Sequence, residues 1–330
     1  MSIKFLKAGT GDAVLIQHGG KNILIDGGNE FKYLRDQVKA INDLNEKIDL
    51  LIITHHDDDH IAGVISLLTM IKNEELPSDF VSEVFFNSPR KIKGKISDTT
   101  ANHLSYKQAY ETEELILELG VKWELITENS NDVKIGEINL NFLSPMQDDL
   151  ENYSEKKGAY LTGDFRCDWD VPITDIEKYI DDASQDKSLS NKTSIIILAE
   201  FDSKRFLLTG DCTPDRFEAA LDKIDKNESG QAEFYAVKLP HHGSYRSLNQ
   251  AIIKSIKCSR FIISTNSKKY FLPNKRALLK VKNYALDKTA RIEFFFNYEE
   301  ALNALKITAV EKTRYSLILT PNNKSYGISL

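Results

Sequence analysis

The sequence predicts a layered α/β fold. Short runs of strand-forming residues recur from one end of the chain to the other, and amphipathic segments with helical spacing lie between several of them. The 330 residues are enough to bury a substantial core. Strands, then helices, then strands again on one chain favour a sandwich of sheets covered by helices.

In the first third of the chain, the pattern predicts strands and helices in alternation. Residues 48–53 are apolar nearly throughout, which is typical of a strand buried on both faces. Gly120 follows the last predicted helix as a glycine that ends it. The predicted strands are 3–7, 13–17, 22–25, 48–53 and 81–86, and the predicted helices are 31–45, 61–68 and 101–119.

The rest of the chain is predicted to be richer in strands. These lie near 121–126, 138–143, 194–200, 205–209, 235–239, 261–264, 291–296 and 316–320, with a helix over 214–224. Residues 147–192 are acidic and polar, and we predict an insert or a lid there. No repeat, long low-complexity tract or clear linker divides the chain, so we predict a single domain over 1–330.

Composition narrows the class of protein. Hydrophobic residues make up 41% and charged residues 28%, and the net charge is −6, which argues weakly against a large basic surface for nucleic acid. The three cysteines are far apart and form neither a disulfide framework nor a CxxC metal site. We find no secretory leader and no run of roughly 18 apolar residues. A cytoplasmic protein without membrane spans is therefore expected.

Histidines and carboxylates are concentrated at two strand ends. Five of the seven histidines fall within 55–60 and 241–242, and each segment directly follows an apolar strand. An acidic turn that caps a helix is the simpler interpretation of 55–60. We do not favour it, because so many ionisable groups in six residues repel one another unless a cation organises them. Imidazoles and carboxylates are the usual ligands of Zn²⁺ and Mn²⁺.

The pattern His55-x-Asp57-x-Asp59-His60 resembles the H-x-H-x-D-H signature of the metallo-β-lactamase superfamily. Its Asp57 replaces the second histidine, a variant similar to the metallo-hydrolase domain of the bacterial DNA-uptake (competence) channel protein and its soluble relatives. Segments that match this subfamily in the same order are 9–13 (GTGDA), 22–28 (NILIDGG), 191–194 (NKTS), 206–211 (FLLTGD) and 238–244 (KLPHHGS).

The resemblance implies an αββα sandwich with a metal site at one edge. The metal ligands that it implies are His55 and Asp57 for a first ion, Asp59 and His60 for a second, Asp211 as a bridge or second-ion ligand, and one of the two adjacent histidines. We favour His241 as that ligand, since it lies nearest the strand end, and assign His242 to contact a phosphate or transfer a proton. Asp26 is expected to anchor the loops.

Two departures from the family pattern bear on this site. The superfamily normally supplies another histidine to the first metal from the middle of the chain, but His103 is the only histidine between positions 60 and 241. The first site is therefore expected to be weak, open or empty. The subfamily often has Gly-His-Pro after the 261–264 strand, where this chain has Tyr270-Phe271-Leu272-Pro273.

These residues predict a hydrolase that uses one or two divalent ions, Zn²⁺ or Mn²⁺, to activate water. Asp59 is predicted to orient that water, and His242 and Ser244 to contact the phosphate or the leaving group. The favoured substrate is DNA or another phosphodiester, with a groove formed by 245–246, 268–269 and 275–276 following the phosphates. The alternatives are a hydrolase of a small ester, lactone or nucleotide, and a non-catalytic binding or regulatory protein. By fold analogy, partners in a bacterial defence or mobile-element system are possible, and the oligomeric state is open.

Overall fold

The structure, a computed structural model, describes residues 2–94, 106–155, 167–181 and 184–330. The strands are β1 Ser2–Leu6, β2 Val14–His18, β3 Lys21–Ile25, β4 Leu50–Ile53, β5 Glu83–Phe86, β6 Lys122–Glu124, β7 Val133–Ile135, β8 Ile138–Phe142, β9 Ile197–Phe201, β10 Lys204–Leu208, β11 Ala232–Glu233, β12 Ala236–Lys238, β13 Ile256–Lys257, β14 Arg260–Ile263, β15 Glu293–Phe296, β16 Ile318–Thr320 and β17 Gly327–Ser329.

The helices occupy the segments between strands. They are α1 Lys32–Asp43, α2 Asp58–Lys72, α3 Pro89–Ile92, α4 Lys107–Leu119, α5 Gln147–Glu155, α6 Ile173–Ile176, α7 Leu189–Lys192, α8 Pro214–Asp222, α9 Gln250–Lys254, α10 Lys275–Tyr284, α11 Glu299–Ala304 and α12 Ala309–Arg314. Short 3₁₀ turns lie at Pro240–Gly243 and Tyr245–Ser247. Among the described residues, none of the helices has the length and apolar character needed to cross a bilayer.

Two large sheets form the centre of the molecule. The first has the strand order β17-β1-β2-β3-β4-β5-β6, and the second has the order β16-β15-β14-β12-β10-β9-β8-β7. Strands β3 to β6 run parallel to one another, and so do β10, β12, β14, β15 and β16. Since parallel strands end at the same edge, the loops after β3, β4, β10, β12 and β14 can build one site.

Three apolar contact layers define the order of the sandwich. One packs α1, α2 and α4 on the first sheet, and a second lies between the two sheets and includes Ile16, Ile52 and Phe206. The third packs α8, α9 and α10 on the second sheet. The architecture is therefore helix, sheet, sheet, helix, and the predicted layered α/β fold is confirmed.

The predicted elements agree with the structure within a few residues where both exist. Strand β4 is buried along its whole length, as expected, and Gly120 ends α4 in the left-handed conformation. Helix α2 begins at Asp58, earlier than the predicted start at residue 61. Carboxylates in a first turn interact favourably with the helix N-terminus, which explains why the acidic loop is partly helical. The start of the predicted 101–119 helix lies outside the described residues.

Helix α10 was not predicted, and its composition explains why. Lys275, Arg276 and Lys280 lie on its buried side, where their charged groups bond to carbonyl oxygens of neighbouring segments. Buried cations break the apolar periodicity by which a helix is found in a sequence. Lys275 and Arg276 are therefore part of the fold, and the predicted phosphate-tracking groove is wrong at these two positions. Lys268 and Lys269 remain exposed.

Candidate metal centre

The predicted site residues meet at the carboxyl ends of the parallel strands. Asp26 directly follows β3, and His55 lies two residues after the end of β4. Asp211 follows β10, and the His241–His242 pair follows β12. The fold thus brings together segments that are up to about two hundred residues apart in the sequence, as expected for this edge of an open parallel sheet.

A close backbone approach brings Asp12 to the same centre. A Cβ atom on Gly11 would lie 1.7 Å from the carbonyl oxygen of Asp59, so this position has room only for glycine. The next amide, that of Asp12, donates to the same carbonyl oxygen at 3.2 Å. The glycine-rich loop after β1 therefore presses against the start of α2 and places the Asp12 carboxylate among the predicted ligands.

Four buried side chains form the compact part of the centre. One donor atom from each of Asp12, His60, Asp211 and His242 lies within 4.8 Å of the others. Nε2 of His60 lies 3.4 Å from Oδ1 of Asp211, and Nε2 of His242 lies 3.2 Å from Oδ2 of Asp211. Nε2 of His242 is also 3.4 Å from Oδ2 of Asp59. Ligand bonds near 2.1 Å in a tetrahedral site separate donor atoms by about 3.4 Å. The spacing therefore fits a divalent cation.

A hydrogen-bond acceptor at Nδ1 orients each imidazole ring of this cluster. Nδ1 of His60 lies 2.8 Å from Oδ2 of Asp26, and Nδ1 of His242 lies 2.9 Å from the carbonyl oxygen of Ser264. Both partners can only accept, so in the neutral imidazole each Nδ1 carries the proton and each Nε2 is free to bind a metal. Asp26 also accepts from the amide and the hydroxyl of Thr54, both at 2.7 Å, and so ties β3 to β4 as expected. This arrangement is typical of metal-binding histidines.

Several buried polar atoms in the centre have no hydrogen-bond partner among the described residues. They are Nε2 of His55, His60 and His242, and one carboxylate oxygen each of Asp12 and Asp211. Buried polar atoms are rarely left unsatisfied in native proteins, and a bound cation satisfies such atoms in many metal sites. Nε2 of His60 and of His242 both lie within 3.4 Å of Asp211 oxygens. All of these atoms are metal ligands by chemistry, so the residues present fit a divalent metal.

His55 and Asp57 form the other half of the centre. Nε2 of His55 lies 3.7 Å from Oδ2 of Asp57. Nδ1 of His55 lies 3.1 Å from the hydroxyl oxygen of Thr54. That hydroxyl donates its own proton to Asp26, so it accepts from His55 and leaves Nε2 bare. The Ser190 hydroxyl donates to Oδ1 of Asp57 at 3.0 Å. Both predicted ligands therefore face the centre, but they form a sparser set than the compact cluster.

A buried lysine, Lys238, supplies fixed positive charge beside the cluster. Its Nζ lies 2.5 Å from Oδ2 of Asp12 and 3.6 Å from Oδ1 of Asp211, and it donates to the carbonyl oxygen of Gly210 at 2.8 Å. Burial alone would raise the pKa of Asp12, but Lys238 and then His242 outweigh it and lower that pKa to about 2. Lys238 therefore keeps Asp12 ionised.

Opposite charges also dominate the ionisation of the cluster itself. Burial raises the pKa of Asp211, but the neighbouring imidazolium groups of His242 and His60 outweigh burial and hold it well below its usual range. Conversely, burial lowers the pKa of His60 and of His242, but Asp211 and other nearby carboxylates raise both well above the ordinary value. Without a metal, the centre is thus a network of buried ion pairs.

We predict opposite pH dependences for the chelated and the metal-loaded protein. The raised pKa values of His60 and His242 stabilise the chelated fold fully below about pH 6.5, and this stabilisation is lost as the pH rises through their folded pKa values. Metal binding requires the neutral imidazoles, so its contribution grows as the pH rises. The gain in Tm on adding Mn²⁺ should be larger at pH 8.5 than at pH 6, as thermal unfolding with and without chelator will show. An equal gain at both values would contradict this ionisation scheme.

The turn that carries the histidine pair is strained. His241 has φ 47° and ψ 53°, and His242 has φ 54° and ψ 25°, both in the left-handed region, and Gly243 follows with φ 86°. Left-handed conformations at residues other than glycine cost on the order of 1–3 kcal/mol each and are concentrated at functional sites. This turn directs two adjacent imidazoles toward one carboxylate, which an extended chain would not do.

The structure revises the roles predicted for the residues after β12. His242 lies in the compact cluster, whereas Nε2 of His241 is 3.9 Å from Oδ2 of Asp211, so the geometry favours His242 over His241 as the partner of Asp59 and His60. The Ser244 oxygen accepts from the amide of Arg246 at 3.3 Å and supports the following turn. This contact favours structural support over the catalytic role predicted for Ser244. His103 lies outside the described residues.

Several contributors to the centre were not predicted. Asp12 and Lys238 both lie within motifs that match the subfamily. Lys238 could have been noticed because it is a charged residue in an otherwise apolar strand. Nothing in the sequence distinguishes Asp186 from the other acidic residues of the 147–192 segment. Tyr153 is buried against His56, with its hydroxyl 2.6 Å from Nδ1. His56 is therefore engaged by Tyr153 and is not counted among the ligands, as expected for an x position of the His55-x-Asp57-x-Asp59-His60 motif.

The loop that carries Tyr270 lies beside the centre. Backbone hydrogen bonds hold this loop before and after Tyr270. The Asn266 amide donates to the carbonyl oxygen of Gly9 at 2.8 Å, and the Asn274 amide donates to the carbonyl oxygen of Gly243 at 3.1 Å. Burial raises the pKa of the Tyr270 phenol, and the carboxylates of Asp59 and its neighbours raise it further. Tyr270 begins the Tyr270-Phe271-Leu272-Pro273 segment, where the sequence departs from the Gly-His-Pro of the resembled subfamily.

A family model described as the metallo-beta-lactamase superfamily matches residues 6–79 of this chain. The matched segment runs from β1 through α2 and contains Asp12, Asp26 and the whole 55–60 loop. The helix, sheet, sheet, helix architecture is consistent with the metallo-β-lactamase fold.

Solved structures resemble the chain at low sequence identity. Zn²⁺-bound PqqB from Methylobacterium extorquens is 11% identical, with 100% of this chain and 99% of that chain covered and a TM-score of 0.46. A diphosphatase from the PhnP family is 13% identical, with 100% and 96% covered and a TM-score of 0.41. A mutant of the CmlA beta-hydroxylase is 13% identical, with 89% and 52% covered and a TM-score of 0.42.

Proposed function

We propose that this protein is a metal-dependent hydrolase that cleaves phosphodiesters, with DNA as the first substrate to test. The observation that carries the proposal is the convergence of bare imidazole nitrogens and carboxylates at one strand edge. Nε2 of His60 and of His242 both lie within 3.4 Å of an Asp211 oxygen. A structural ion pair needs no such convergence of atoms that are all metal ligands by chemistry.

The ligand sets follow from the distances. Asp59, His60, Asp211 and His242 would hold one ion, and His55 and Asp57 would contribute to a second beside Asp211. A bound divalent ion lowers the pKa of water enough to supply hydroxide near neutral pH. Carboxylates are a large share of the set, which makes Mn²⁺ a rival to Zn²⁺.

The surrounding side chains suit a phosphate-bearing substrate. Asp59 is 13% exposed at its side chain and lies at the rim of the cluster, where it can orient the attacking water. The Tyr270 hydroxyl can donate to a phosphate oxygen or to the leaving group. Lys268 and Lys269 are exposed on the same loop and can attract the phosphate. The resemblance to the DNA-uptake subfamily favours a nucleic acid among phosphodiesters.

The direct test is cleavage of DNA by the purified chain with Mn²⁺ or Zn²⁺. We expect single- or double-stranded DNA to be degraded, and His60→Ala to abolish cleavage because it removes a central ligand and frees Asp26 and Asp211. Gel electrophoresis of end-labelled DNA measures the products. His18→Ala is the matched control, since His18 lies at the end of β2 and pairs with Asp202 at 3.0 Å, away from the centre.

The outcomes separate the alternatives. Cleavage that survives His60→Ala would point to a contaminating nuclease and remove support for the proposal. Metal bound by the wild type without cleavage of DNA or a chromogenic phosphodiester would contradict phosphodiester hydrolysis. Absence of bound metal after purification in metal-supplemented medium would favour the non-catalytic binding or regulatory protein.

One observation favours a second candidate, a hydrolase of a small ester, lactone or nucleotide. The described parts of the 147–192 segment pack against the centre, since Ser190 contacts Asp57 and Tyr153 contacts His56. Such contacts narrow the approach on that side and suit a small substrate. Rates on lactones, aryl esters and nucleotides, compared with DNA at equal active-site concentration, decide between the two.

A further inference from the structure

We propose that His241 supplies a third protein donor to the His55 and Asp57 half of the centre, and that Asp186 positions it there. The proposal rests on the proposed metal-dependent function and deepens it. Asp186 belongs to the 147–192 segment, which would thus take part in the site. His241 would take the place of the mid-chain histidine that the family pattern predicts. Contacts on both ring nitrogens of His241 support this role.

The first half of the centre needs another donor. His55 and Asp57 offer one atom each, and Asp211 can be shared with the second half. Protein metal sites commonly use three or four protein ligands. The sequence offers no histidine between positions 60 and 241 except His103, which lies in no matching motif. A donor from elsewhere in the chain would complete the set.

Nδ1 of His241 is held by a carboxylate. It lies 3.2 Å from Oδ2 of Asp186, and the Asn191 side-chain amide donates to that same oxygen at 2.6 Å. The other oxygen of Asp186 accepts from the amide of Ser188 at 2.9 Å, so the carboxylate is fixed. The Asn191 side-chain nitrogen also lies 3.2 Å from Nδ1, but its shorter contact is the 2.6 Å bond to Asp186. In the neutral tautomer whose Nδ1 donates to Asp186, Nε2 is free to bind a metal.

Nε2 of His241 then faces the centre. It lies 3.9 Å from Oδ2 of Asp211, the same oxygen that Nε2 of His242 approaches at 3.2 Å. His241 thus repeats the arrangement of His55, His60 and His242, in which an oxygen acceptor holds Nδ1 and Nε2 is directed at the carboxylates. An acceptor behind the ring that fixes tautomer and direction is the usual accompaniment of a metal-binding histidine.

A single short segment holds two members of this half. Residues 184–192 position His241 through Asp186, and they position Asp57 through the Ser190 hydroxyl, which donates to Oδ1 at 3.0 Å. The Asp186 amide in turn donates to the carbonyl oxygen of Arg246, beside the histidine turn, at 3.0 Å. The segment therefore connects the two loops that would have to share an ion.

Metal stoichiometry tests the proposal without reference to activity. The chelated full chain is titrated with Mn²⁺, and separately with Zn²⁺, by isothermal titration calorimetry, and metal retained after gel filtration is counted by elemental analysis. We use His241→Gly, because glycine accepts the left-handed backbone at this position, and Asp186→Asn, which keeps the shape and removes the charge. Asp215→Asn is the control, because Asp215 lies in α8 and pairs with Lys192 at 3.0 Å, and circular dichroism checks that each variant is folded.

The wild type and Asp215→Asn should bind two equivalents. His241→Gly should lose the weaker equivalent, and Asp186→Asn should weaken it by roughly 10–100-fold, the usual effect of removing the group that orients a ligand. One equivalent in the wild type, or two unchanged equivalents in His241→Gly, would overturn the proposal. Two bound ions in a wild type that cleaves no phosphodiester would instead contradict the proposed function and leave this assignment standing.

Discussion

Replacing Asp211 with asparagine is expected to lower kcat/KM for a phosphodiester by at least about 10³-fold, equivalent to about 4 kcal/mol of transition-state stabilisation. The carboxylate lies within 3.4 Å of the bare nitrogens of His60 and His242 and 3.9 Å from that of His241. Asp211 thus lies between three of the histidines of the centre. The neutral amide cannot offset the cationic charge, so metal content should fall as well.

The measurement pairs initial rates on bis(p-nitrophenyl) phosphate with elemental analysis of the purified variant. Asp215→Asn is the matched control. Asp215 lies in the next helix, is half exposed and pairs with Lys192 at 3.0 Å, so its loss should change neither rate nor metal content. A variant at Asp211 that keeps both its metal and most of its rate would show that the shared carboxylate is not central to the site.

The part of the site that the sequence predicted is local. His55, Asp57, Asp59 and His60 lie in six residues after a recognisably buried strand, so their grouping is fixed by chain connectivity alone. Asp26 and Asp211 each end a strand of the parallel sheets, and strand ends that share an edge are expected to meet. These positions could be assigned because hydrophobic periodicity and a family motif pointed to the same edge.

The part that the sequence did not predict depends on backbone turns and long-range contacts. The order of His241 and His242 suggested that the first would be the ligand, but two left-handed residues in succession rotate the second into the compact cluster. Asp186 approaches His241 only because residues 184–192 fold back over the strand ends. No periodicity encodes such contacts, and the acidic composition of the segment suggested only a solvated insert.

Lys238→Met is expected to destabilise the chelated protein by about 3–5 kcal/mol, since it leaves the buried Asp12 carboxylate without its closest partner. Lys238 is almost wholly buried, and its Nζ lies 2.5 Å from Oδ2 of Asp12. Urea unfolding with excess chelator measures the loss. The double variant Lys238→Met with Asp12→Asn should recover part of it, because both buried charges are then removed.

The exposed Lys226→Met is the control. Lys226 pairs with Asp222, the last residue of α8, at the surface, so the substitution should cost no more than about 0.5 kcal/mol. A cost below about 1 kcal/mol for Lys238→Met would show that Asp12 finds another partner without it. Metal affinity should change in the opposite direction from stability. The Lys238 ammonium lies 3.6 Å from Oδ1 of Asp211 and repels a cation bound to that carboxylate, so Lys238→Met should bind Mn²⁺ more tightly while its fold is weaker. If stability and affinity fell together, Lys238 would act only by holding the Asp12 loop in place, because a repelled ion would bind better once the lysine charge was gone.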